Sequence, residues 1–78
     1  MDVMIFTLKN GIEEINDVAI IRIISKDYNL LIMKDYMQII GNIEGSVEIE
    51  TKNETIKKND IFAYYVNRNN VFKLIIKE

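Results

Sequence analysis

Tyr28 to Gly45 reads YNLLIMKDYMQIIGNIEG, and its two apolar runs, Leu30 to Met33 and Met37 to Ile40, decide how the rest of the chain must fold. Each run is about the length of a buried strand and too short for a stable helix. Lys34 and Asp35 separate them. Gly41 and Gly45 flank a short connection, where backbone angles that a Cβ disfavours are available. Runs this apolar must be hidden between sheet faces or covered by a partner, and both are expected here.

Downstream, Ser46 to Glu50 alternates, with Val47 and Ile49 on one side and Ser46, Glu48 and Glu50 on the other, the pattern of a half-buried strand. Lys52 and Asn53 turn the chain, and Glu54 to Lys57 returns with Ile56 inward to complete a hairpin. Asn59 and Asp60 break the pattern before an aromatic strand, Ile61 to Val66. Asn67 to Asn70 is a turn of residues that tolerate left-handed angles, and Val71 to Ile76 is the last strand. Upstream, Val18 to Ile24 (VAIIRII) is a central strand rich in stiff branched side chains. Val3 to Leu8 is a first strand ending in the turn residues Lys9, Asn10 and Gly11. Ile12 to Ile15 reads as a second strand or an irregular link, since a helix there is too short to stand alone. The whole reads as a single all-β domain over residues 1–78, a small antiparallel β-sandwich of about eight to ten short strands.

Composition narrows the function. The chain has no cysteine and no histidine, which removes disulfides, thiol chemistry, Ser-His-Asp and Cys-His arrangements, and zinc sites built on those ligands. Ten basic and twelve acidic side chains, net charge -2, are spread without a basic stripe, so nucleic acid binding by phosphate neutralisation is disfavoured. No run approaches ~20 apolar residues, so no spanning helix or direct membrane insertion is expected. The start, MDVMIFTLKNG, has an early acid and no cationic segment, unlike a signal peptide, and the expected location is the cytoplasm. Hydrophobic residues make up 49% of the 78. Folding a chain this small hides only about 60% of its unfolded surface, so some apolar side chains are expected to stay outside the core for a protein contact.

Several residues have a plain structural role alongside a functional one. Tyr64 and Tyr65 point to opposite faces as neighbours on a strand, one to the core and one to the surface. Asp27 with Asp35, and Glu13 with Glu14, are carboxylate pairs in polar turns, where solvation keeps them from acid-base work. Met33 and Met37 are expected as gap fillers. Lys57 and Lys58 are expected as a charged strand end that discourages edge pairing. No nucleophile-base pair supports an enzyme, and no cofactor is expected.

From Thr7 to Ile49 the order of the pieces resembles the amino-terminal β-sandwich of the epsilon subunit of rotary ATP synthases, called delta in mitochondria. The family's first turn ends in glycine, as at Gly11, and a valine leads into an aliphatic central strand, as at Val18 and Ile21 to Ile24. The family then has a motif reading Gly, Ile, Leu, Pro, Gly, His, Ala, Pro, Leu. It aligns with Leu31 to Ile39, where the hydrophobic positions are kept and the glycines, prolines and histidine are replaced. Ile43 to Ser46 matches the following turn, and a later Gly-Gly pair aligns with Asn59 and Asp60.

The resemblance implies a non-catalytic subunit at the foot of a central stalk, peripheral to the inner face of the membrane, coupling proton or sodium transport to ATP synthesis. It implies contact with the c-ring through Asp27, Tyr28 and Asn29, and with the gamma subunit through Tyr36, Met37 and Gly41. The family's carboxy-terminal helical hairpin has no counterpart, which implies coupling without that form of inhibition. The alternative is a stand-alone epsilon-like module that binds proteins or a small ligand, as a monomer or a homodimer when isolated.

Overall fold

The computed structural model describes residues 1–77 and is all strand and turn. The strands are β1 (Asp2–Thr7), β2 (Gly11–Ile15), β3 (Val18–Ser25), β4 (Asn29–Ile32), β5 (Ile39–Thr51), β6 (Thr55–Arg68) and β7 (Val71–Lys77). They form one hydrogen-bonded sheet of seven strands in the order β2-β1-β7-β6-β5-β3-β4. All neighbours are antiparallel except β1 and β7, which run parallel. The all-β expectation holds, while the strand count is lower and the sheet is mixed.

The count falls because β5 and β6 run through positions that read as breaks. Gly41 and Gly45 lie inside β5, and Asn59 and Asp60 lie inside β6. Gly45 pairs with Ile61 and Val47 with Lys58, so Asn59 and Asp60 together stand opposite Ser46. This is a bulge on β6, with Asp60 at φ 53°. The extra residue changes the inward phase of β6 from even to odd numbers. Tyr65 and Ala63 face the core on one side of it, and on the other Ile56 still packs inward opposite Ile49. Gly45 is needed because a Cβ there would overlap the Ile24 carbonyl. The turn before β7 shrinks to Asn69 and Asn70, at φ 51° and 62°, the two left-handed residues of a tight hairpin turn.

Pairing divides the sheet at that bulge. β7 meets β6 over Phe62–Arg68, and β3 meets β5 over Gly45–Thr51. One layer is therefore β2, β1, β7 and the bulge-distal halves of β6 and β5. The other is the remaining halves of β6 and β5 with β3 and β4. Laid flat, seven strands would span about 29 Å and leave both faces wet. Instead Val3, Ile21, Ile32, Ile49, Phe72 and Leu74, from both layers, are each 0% exposed in one core. Met1 and Val18 close one side of the fold, the Val18 amide donating to the Met1 carbonyl at 2.7 Å and the Met1 ammonium to the Val18 carbonyl at 3.2 Å. Expected as a link or a strand, Ile12 to Ile15 is the edge strand β2, held to β1 from Val3↔Ile15 to Thr7↔Gly11.

Candidate interaction surface

The Asp27 turn joins β3 to β4 and sits beside the bend in β5. The Lys26 amide donates to the Glu44 carbonyl at 2.8 Å, and the Glu44 amide to Ser25 Oγ at 3.1 Å. Asp27 and Asn29 are exposed. Tyr28 is half-buried, with its hydroxyl 2.5 Å from the Asn42 carbonyl and 3.0 Å from the Tyr65 hydroxyl. Tyr28 is thus engaged with the fold, and Asp27 and Asn29 form the free part of this turn.

The Met33–Gln38 connection crosses between the layers at another end of the molecule. The Asp35 amide donates to Asn70 Oδ1 at 2.7 Å, and Asn70 Nδ2 donates to Asp35 Oδ1 at 3.1 Å. Asn67 Nδ2 donates to the Met37 carbonyl at 3.1 Å. Asn67 is buried, and its Oδ1 has no partner among the described residues. Met33 and Met37 are 49% and 69% exposed, so they are not gap fillers, because this connection passes over the core rather than into it. Tyr36 is half-buried against the core.

Gly41 faces inward on β5 directly opposite Tyr65. A Cβ there would lie 2.5 Å from the Tyr65 hydroxyl and 2.6 Å from Cζ. Tyr65 fills that space, is 2% exposed and stacks on Phe72 with centroids 5.4 Å apart. Burial, with the Tyr28 hydrogen bond adding to it, pushes the Tyr65 phenol above its ordinary range. Tyr64 turns outward, as the strand alternation requires, and Lys77 Nζ lies 4.2 Å from its ring centroid.

The outer faces of the two layers differ in kind. On the four-stranded layer, Arg22 Nη1 lies 2.6 Å from Glu50 and 3.5 Å from Glu48, and Lys57 Nζ lies 3.9 Å from Glu48. Lys58 instead reaches across to Glu13 on β2, in the other layer, at 3.6 Å. Lys57 and Lys58 lie within β6 rather than at a strand end, on the half that pairs only with β5 and so forms the edge of the four-stranded layer, and both pair with carboxylates. On the five-stranded layer, the pairs Tyr64↔Ile75, Ile75↔Phe6 and Phe6↔Ile12 set four apolar side chains in one row across β6, β7, β1 and β2. Ile40 and Val66 are paired in the adjacent row, and Phe62 lies beyond Tyr64 on the other side. Ile40 is 80% exposed, Ile12 63% and Phe62 55%. This face was not legible as a patch, because its members come from five segments that only the register brings together.

Little here supports chemistry. Among the described residues no group of three or more Asp or Glu side chains is placed to hold a metal ion. Glu13 and Glu14 are exposed, with Glu13 engaged by Lys58. Asp27 and Asp35 lie in different turns, one beside Glu44 and one bound to Asn70. No helix among the described residues is long and apolar enough to cross a membrane.

No family model and no curated protein matches this sequence. Among solved structures, it is similar to a chain in the cryo-EM structure of the central stalk/c-ring of Tetrahymena thermophila mitochondrial ATP synthase, with a TM-score of 0.71 at 15% identity. The likeness covers 100% of this chain and 63% of that one. At such identity what is shared is the fold, and it is shared along the full length of the shorter chain. This agrees with the epsilon-type resemblance drawn from strand order.

Proposed function

We propose that this chain is a non-catalytic central-stalk subunit of a rotary ATP synthase, linking the gamma subunit to the membrane c-ring and helping couple proton or sodium transport to ATP synthesis. The observation that carries the reading is the end-to-end fold likeness to a chain of a central stalk/c-ring assembly. In this reading the protein is held at the inner face of the membrane through the complex. Asp27 and Asn29, with Tyr28 fixing their turn, meet polar c-ring loops. Tyr36 and Met37 meet gamma, and Gly41 serves that contact by letting Tyr65 and the strand beneath it pack closely.

The two contact regions suit a linker. The Asp27 turn lies by Asn42 and Glu44, and the Met37 connection lies by Asn67 and Asn70, which separates them by roughly 15–20 Å along the strands. Adding the purified chain to an ATP synthase depleted of its epsilon-type subunit should restore stalk assembly and ion-coupled ATP synthesis. No effect on either would reject the reading. A stand-alone binding module is the second reading, supported by Lys34, Asp35, Tyr36 and Gln38 standing where the family motif has Pro, Gly, His and Pro. It predicts a chain that co-purifies with no stalk component.

A further inference from the structure

We infer that the partner meeting the Met33–Gln38 connection continues onto the outer face of the five-stranded layer, where it presents an apolar surface carrying carboxylates opposite Arg68, Lys73 and Lys77. The inference rests on the stalk reading, in which that partner is the gamma subunit, and adds the surface and its chemistry.

Continuity is the first reason. Gln38, Ile40, Val66 and Arg68 line one shallow depression, and Val66 and Arg68 also line the next one, towards Lys73. The path from the connection to the apolar row therefore has no gap. Charge is the second. On the outer face of the other layer Arg22 and Lys57 pair with Glu48 and Glu50, whereas Arg68, Lys73 and Lys77 have no carboxylate partner among the described residues. Covering the row around them with a purely apolar surface would leave cations desolvated and unpaired, which is strongly unfavourable. A cover with matched acids avoids this.

Size and symmetry decide against a second copy as the occupant. Five strands by three rows give a footprint of about 300–400 Å², roughly half the ~800 Å² per partner of a stable pair. A two-fold face-to-face dimer would also press one cation-bearing patch against the same patch of its copy, since such an interface uses the same surface twice. A partner that also grips the connection meets neither objection.

The test is binding of the full chain to the purified gamma subunit of the ATP synthase from the same genome, by calorimetry at low and high salt. Ile75→Asp should weaken binding about 100-fold, as expected near the centre of such a contact. Lys73→Glu with Lys77→Glu should weaken it about tenfold and remove most of the salt dependence. These positions are exposed, so circular dichroism and melting should match the unaltered chain, and Lys73→Gln with Lys77→Gln gives an intermediate loss without charge reversal. If Met37→Asp weakens binding while the face variants bind within about twofold of the original, the face is overturned and the stalk reading stands. If the unaltered chain does not bind gamma, both fall. Self-association through Ile75, or binding to phosphatidylserine vesicles that the same variants abolish, with gamma binding unchanged, would also overturn the inference.

Discussion

Gly41→Ala is the sharpest probe of how the fold supports its proposed contacts. The added methyl would sit 2.5 to 2.8 Å from three atoms of the Tyr65 ring, well inside van der Waals contact. That ring cannot swing to solvent. It is buried, stacked on Phe72 and hydrogen-bonded to the Tyr28 hydroxyl. Overpacking of this kind costs about 1–3 kcal/mol, and loss of the Tyr28–Tyr65 bond adds about 0.5–1.5 kcal/mol. The total, about 2–4 kcal/mol, is a large part of the ~4–12 kcal/mol expected for a chain of this length. It corresponds to a drop in Tm of roughly 10–25 °C. The assay is thermal unfolding by circular dichroism, with Gly41→Ala/Tyr65→Leu as the companion variant. The double variant should show less than the sum of the two single losses, because the smaller side chain removes the clash. A Gly41→Ala protein that melts within about 3 °C of the original would refute the packing account.

Two further predictions follow from buried polar groups. The Tyr65 phenol ionises above the ordinary tyrosine value of 10.0 when folded. The unfolded chain therefore releases that proton first, so stability is intact below about pH 10 and falls above it by up to about 1.4 kcal/mol per pH unit. Tyr65→Phe should remove that part of the alkaline fall, read by denaturant titrations of both proteins across the range, and an unchanged pH slope would contradict the assignment. Asn67→Ala removes the bond that holds the Met37 carbonyl, worth about 1 kcal/mol. Trypsin should then cut after Lys34 about fivefold faster, and an unaltered cleavage rate would show that Asn67 does not hold the connection.

What could be read from the chain depended on whether the information was local. Val18 to Ile24 and Val71 to Ile76 are runs rich in branched side chains, and both are strands. Ser46 to Glu50 alternates cleanly because Val47 and Ile49 face a core and Glu48 and Glu50 face Arg22. Asn59 and Asp60 misled because the residues that suit a turn also suit a bulge. Only pairing with Gly45 and Val47 shows that the strand continues. The parallel β1–β7 pair left no local trace, since it joins the two ends of the chain.

The proposed contact residues divide in the same way. Asp27 and Asn29 are exposed at a turn, as their polarity led one to expect, whereas Met37, expected as a gap filler, is exposed on its connection. Tyr28 and Gly41 turn out to be tied to Tyr65, a relation between residues 37 and 24 positions apart that no spacing reveals. The apolar outer face needed the register of five strands. Its residues were legible only in bulk, as a chain with more hydrophobic side chains than its core can use.

Hydroxyl-radical footprinting of the chain, free and mixed with the gamma subunit and c-ring of the ATP synthase from the same genome, puts the central proposal to the most direct test. Phe6, Met37, Phe62 and Tyr64 should lose reactivity on assembly while Leu31, on the charge-paired layer, keeps it. Equal reactivity of all five in both states would contradict the account.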